Sequence, residues 1–202
     1  MKYKHLFTSK FYQDNPRDDL SAQSLGHFTI KLMGTEAGEK LESTVLENAL
    51  PERIAAKEEE ARSIAELNCG SDVIRRMRKD IDPLNSRELL RKALEFEDEI
   101  GAEIVQMMKK SGNDAFIETA TRFLSKCRQD YSAALMEMFD EIRNSYAQSM
   151  MLVVIGFRGG EEAIPWVYDR YFQLKDSKHD DGNRAQGALV ALDELFDRFY
   201  EK

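Results

Sequence analysis

Ser145-Tyr-Ala-Gln-Ser-Met-Met-Leu-Val-Val-Ile-Gly-Phe-Arg-Gly-Gly-Glu-Glu-Ala-Ile-Pro-Trp-Val-Tyr-Asp-Arg-Tyr171 reads as two apolar helices folded back on each other across a glycine turn. Ala147, Met150, Met151, Val153, Val154 and Phe157 cover so much of the first helix that it belongs at the centre of a helical stack. Ser145 and Gln148 stand in the positions of a capping box, and Gly159-Gly160 makes the turn. Glu161 and Glu162 open the second helix, where the dipole favours anions. Pro165 lies close enough to that start for its missing N–H to cost much less than at mid-helix. Ile164, Trp166, Val167, Tyr168, Tyr171 and Phe172 supply the packing. Such a pair is not stable alone in water, so neighbouring helices must sandwich it.

The flanking sequence supplies them. Seven helices are expected from Ser86 onward, most bounded by turn or capping residues. Asn85 and Glu88 form a capping box before Leu89, Leu90, Ala93 and Leu94, and a second helix runs from about Glu97 to Lys110 with Gly112 as its C-terminal cap. A third opens at Asn113 or Asp114, and a fourth spans about Asp130 to Ile142. Beyond the central pair, a polar loop from Lys175 to Asn183 precedes a last helix whose Ala188, Leu189, Leu192, Leu195, Phe196 and Phe199 recur at three and four.

A shift of 48 residues lays Gly112 on Gly160, Ala115 on Ala163, Phe116 on Ile164, Arg122 on Arg170 and Phe123 on Tyr171. Arg143-Asn-Ser-Tyr-Ala-Gln148, followed by Gly160-Glu-Glu-Ala-Ile-Pro165, resembles the HEAT repeat, in which an Arg and a small residue open one helix and an acidic-Ala-Ile-Pro segment opens its partner. The match covers about residues 143–174. Residues 112–127 resemble a second copy without the proline, and the helix at 183–200 resembles a terminal cap. The resemblance implies an all-α protein with a short HEAT-like α-solenoid over residues 84–202.

Residues 1–83 are expected to form a helical N-terminal region packed on the first helices of that stack. Gly26 to Gly34 has strand-like composition, but a lone strand has no partner here, so a helix from about Leu20 to Leu32 is expected. Glu36 to Leu50 and Glu52 to Leu67 give two more, with Pro51 in the first turn of the second and Gly70 ending it. Ser71-Asp72 starts a short basic helix through Lys79, and Asp80-Ile-Asp-Pro83 marks the boundary.

A chain of 202 residues with 42% hydrophobic content can bury a sizeable core. Its longest apolar stretch, Met150 to Phe157, falls far short of a membrane span, and no signal-peptide pattern opens the sequence, so a cytoplasmic protein is expected. Net charge is −8, and residues 81–202 hold nearly all the excess, with 16 Lys+Arg against 23 Asp+Glu. An acidic surface disfavours nucleic acid and anionic membranes on average. Cys69 and Cys127 lack a second Cys or His at ligand spacing and read as reduced thiols.

No metal or cofactor site is expected. His179-Asp180-Asp181 reads as a polar loop, because adjacent residues do not converge on one point. Glu58-Glu59-Glu60 and Glu97-Asp98-Glu99 read as solvated helix faces. Neither a phosphate-binding glycine loop nor a nucleophile elbow is present. The densest positive cluster, Arg75, Arg76, Arg78 and Lys79, together with Lys109, Lys110, Arg122, Lys126 and Arg128, could form a strip for phosphate or acidic peptide. Trp166, beside Tyr168 and Tyr171, is a docking candidate whose helical spacing also suits the core, and Arg170 stands at the repeat position of Arg122. Family resemblance favours a non-catalytic interaction module offering a rigid concave face to a protein or peptide. Nucleic-acid or phospho-ligand binding through the Arg75–Lys79 strip is the alternative, and an enzyme using His5 or His27 is the third.

Overall fold

The computed structural model describes residues 2–14, 30–176 and 183–201, and all the regular structure among them is helical. The α-helices are α1 (Ser9–Asp14), α2 (Glu36–Glu47), α3 (Pro51–Ala65), α4 (Gly70–Met77), α5 (Ser86–Glu95) and α6 (Glu97–Met108), followed by α7 (Asp114–Lys126), α8 (Ser132–Met138), α9 (Ser145–Arg158), α10 (Ala163–Lys175) and α11 (Asn183–Tyr200). Single 3-10 turns lie at Lys4–Leu6, Pro83–Asn85 and Phe139–Glu141. The seven helices expected from Ser86 onward are α5 to α11. The expected helix reaching Leu32 is described only at residues 30–32, and His27 and His179-Asp180-Asp181 lie outside the described residues.

Alternate helices pair along the chain: α3 on α5, α5 on α7, α7 on α9, and α9 on α11. The intervening helices lie beside that row, with α4 against α5, α6 and α7, α6 against α7, α8 against α9, and α10 against α11. Every residue of α9 from Ala147 to Gly156 is buried, which is what its all-round apolar surface requires. Its closest partner, however, is α11 rather than α10, its neighbour across the glycine turn. The cause is small residues at the crossing. A Cβ on Gly156 would lie 2.7 Å from Ala191 Cα, and one on Gly187 would lie 2.5 Å from the Ser149 carbonyl oxygen. Arg198 of α11 then reaches the end of α9, donating to the carbonyls of Gly156 at 2.7 Å and Gly159 at 2.9 Å.

Several local devices differ from those expected. Asn144, not Ser145, caps α9, its Oδ1 accepting from Ala147 N at 2.9 Å. Gln148 donates its Nε2 to the carbonyls of Phe139 and Ile142 at 3.1 and 2.9 Å, tying α9 to the preceding turn. Asn85 does not cap α5 either; its Nδ2 bonds Lys57 O and Glu60 Oε2. Gly70 begins α4 instead of ending α3.

The N-terminal region is divided. Helices α3 and α4 pack on the first helices of the row, as expected, and Arg87 of α5 pairs with Glu39 and Glu42 of α2. Residues 2–14 instead lie against α10 and α11. Phe7 meets Phe196 at 5.0 Å, Phe11 meets Tyr168 at 5.7 Å, and Tyr3 N donates to the Tyr200 hydroxyl at 3.0 Å. Ile30 is fully buried against Val153 and Val190. One large apolar cluster includes residues from Phe7 to Leu195, on both sides of residue 83.

Gly156→Val places a branched side chain where the α9–α11 crossing has no room. It is expected to lower the urea midpoint by the equivalent of about 1–3 kcal/mol or more with an unchanged slope. Gly112→Ala, at a site with nothing within 4 Å, should stay within about 0.5 kcal/mol of the parent in the same titration.

Candidate functional site

Folding disperses the cations that the sequence groups, and neutralises most of them. Arg75 pairs with Asp72 at 2.8 Å, one turn back on α4. Arg76 points the other way, to Glu60 of α3, and its guanidinium also donates to the carbonyls of Lys79 and Asp80. Glu60 is the centre of that knot, accepting in addition from Asp82 N at 3.1 Å and Asn85 Nδ2 at 2.6 Å. Three groups, one from α4 and two from the α4–α5 connection, thus converge on one carboxylate, a structural use of Arg76. Arg122 pairs with Glu118 at 3.2 Å, while the other Glu118 oxygen accepts from the Tyr146 hydroxyl. Burial, reinforced by Glu118, holds the Tyr146 phenol well above its ordinary pKa.

Arg170 grips Asp140 with two bonds of 2.7 and 2.6 Å and lies over the rings of Phe139 and Trp166. Trp166 meets Phe139 edge to face at 5.4 Å, which makes it part of the packing between α10 and the turn at Phe139–Glu141. Arg128 is held by Glu97 and Asp98. Of the seven candidate binding residues, Arg78 and Lys79 are exposed and face no carboxylate among the described residues.

Both cysteines are free, and no group of three His, Cys, Asp or Glu suited to a metal ion occurs among the described residues. His5 lies exposed on the turn at Lys4–Leu6. Cys127 is buried, its thiol donating to the Leu124 and Gln129 carbonyls. Burial pushes that thiol from its ordinary value of 9.0 up to about 11, with Arg158 pulling the other way and Glu97 adding to the rise. It is a protonated core residue, not a nucleophile.

What the sequence did not single out is an apolar groove beside α2. Helix α2 has no buried residue, although Leu41 and Val45 form an apolar stripe along it. Leu41 is 53% exposed and Leu50 71%, the largest exposures among the large hydrophobic side chains described. The groove, of about 270 Å³, is lined by Leu32, Met33, Leu41, Val45, Pro83 and Leu84, with Glu42, Arg53 and Arg87 at its rim. Local chemistry sets α2 there. Gly34 supplies the left-handed turn at φ 79°, and Thr35 caps the helix, accepting from Gly38 N at 3.2 Å and donating to Leu32 O at 2.7 Å. Arg87 then bridges α5 to Glu39 and Glu42, holding one wall against the other. Glu42 is paired with Arg87 and Arg53 with Asp82, which leaves the apolar floor as the part that gains from being covered.

No family model matches the chain, and neither a curated protein nor a solved structure matches it.

Glu60→Ala removes the acceptor shared by Arg76, Asp82 and Asn85, and should cost about 1–3 kcal/mol in chemical denaturation. The raised thiol pKa of Cys127 has a definite sign. Its stabilising contribution is complete below about pH 9 and is lost as pH climbs toward 11, because the unfolded chain releases the proton first. Stability measured from pH 8 to 11 should therefore fall more steeply for the parent than for Cys127→Ala, and parallel curves would remove the effect.

Proposed function

We propose that this protein is a non-catalytic interaction module of HEAT-like type, docking a protein or peptide partner on the groove bounded by α2, α3 and α5. The exposed apolar floor at Leu41 carries the reading, since a helix with no buried residue and an open apolar stripe is stabilised by a partner that covers it. The pairing of alternate helices from α3 to α11 supports the HEAT-like part, because repeat stacks bury their layers in that way. No helix among the described residues is long and apolar enough to cross a membrane. Cytoplasmic placement belongs to the same reading and rests on two free thiols.

The carboxylates facing Arg75, Arg76, Arg122 and Arg170 weigh against a nucleic-acid strip along those residues. The test is capture from native lysate on immobilised parent protein, Leu41→Glu and a control, Phe172→Ser, whose residue is 39% exposed elsewhere. A partner should be retained by parent and control and reduced about tenfold or more by Leu41→Glu, with helical content and melting temperature unchanged. Equal capture by all three would remove the groove as the docking face.

A further inference from the structure

Where the turn after α6 meets the turn before α9, the surface opens into a cleft of about 560 Å³ lined by Lys109, Lys110, Ser111, Glu141, Arg143 and Asn144. Glu141 is taken by Lys109 in an ion pair. Lys110 and Arg143 are both exposed, and neither has a carboxylate partner among the described residues, in a protein whose other arginines are largely paired. A third turn joins the same edge. Asn113 Nδ2, at the start of α7, donates to Arg78 O at 3.1 Å, which brings the uncompensated pair Arg78 and Lys79 alongside. The three turns, residues 78–80, 109–114 and 139–144, carry Asp80, Asp114, Asp140 and Glu141 against Arg78, Lys79, Lys109, Lys110 and Arg143, and Asp140 is already held by Arg170. The edge is therefore net positive on a chain of net charge −8.

The unmatched charges specify the ligand. Two cations from separate turns converge on one cleft, and a carboxylate would answer only one of them. A phosphomonoester carries nearly two charges and three acceptor oxygens, enough for Lys110, Arg143 and the Ser111 hydroxyl, whose oxygen accepts from Asn113 N at 3.1 Å and whose proton is left to donate. A nucleic-acid backbone would need a longer uninterrupted track, and Asp80 and Asp114 break this one. We propose that this cleft binds a phosphorylated side chain of a protein partner. The assignment rests on the interaction-module reading above but uses a different surface from the Leu41 groove.

The test is a heteronuclear NMR titration of the full chain with a capped Ala-Ala-phosphoserine-Ala-Ala peptide, its unphosphorylated twin, inorganic phosphate and a single-stranded DNA oligomer at constant ionic strength. The phosphopeptide and phosphate should give saturable shifts at the amides of residues 110–112 and 143–144, and the unphosphorylated twin none. Lys110→Ala and Arg143→Ala, both at exposed positions, should each weaken phosphopeptide binding about fivefold or more while preserving the rest of the spectrum. Lowering the pH from 7.5 to 5.5 should weaken it about fourfold, as the phosphate regains its second proton near pH 6. The proposal is overturned if no saturable shift occurs at these amides, if neither variant changes it, or if the DNA oligomer binds there more tightly than the phosphopeptide. Leu41→Glu separates the two readings: it leaves these shifts intact if the cleft acts alone, whatever becomes of lysate capture.

Discussion

Two helices can approach more closely than ordinary side chains permit only where both surfaces are nearly bare, and α9 and α11 meet in that way, Gly156 on Ala191 and Gly187 on Ser149. Much else is placed by that crossing. It aligns Arg198 with the last carbonyls of α9, and it brings Val153 and Val190 together under Ile30. It also gives α10 its main support, since α10 packs on α11 rather than on the helix it follows. Helices α7 and α8 cover the remaining faces of α9, and burial of ten consecutive residues follows. Each buried aliphatic side chain in that run is worth roughly 1.5–3 kcal/mol relative to exposure, so the stretch is a dense source of stability.

The position of α9 at the centre could be read from its sequence because apolar residues on every face of a helix have one physical solution, enclosure. Helices α5 to α11 were legible for a related reason: their apolar residues recur at three and four between polar breaks. Cap identity was less so. Asn144 and Ser145 are both competent caps, and Gln148 also donates to the Phe139 and Ile142 carbonyls, a tertiary contact with no local signature. The same holds for residues 2–14, whose aromatic partners on α10 and α11 are far away in sequence and leave no periodicity to read.

The candidate sites show the limit more sharply. Arg75, Arg76 and Arg78 are neighbours in the chain, yet successive helical residues point about 100° apart, so each met different company: Asp72, Glu60 and solvent. Lys110 and Arg143, distant in sequence, were brought to one cleft by turns on the same edge. The exposure of Leu41 and Val45 had no signal in the sequence, because whether a stripe is covered depends on what the rest of the fold offers it. The two surfaces that result differ in their charges, which are paired at the rim of the apolar groove and unmatched at Lys110 and Arg143 of the cleft.

The bond from Tyr3 to the Tyr200 hydroxyl, with Lys2 N and Tyr200 both on Glu161, spans almost two hundred positions. A row of repeats without such a tie can fray from either extremity and can consolidate layer by layer as it leaves the ribosome. Here the aromatic residues of segment 2–14 have no surface to rest on until α10 and α11 exist. Docking of that segment must follow the formation of both helices, and it adds contacts of long sequence separation to a row otherwise built from near neighbours.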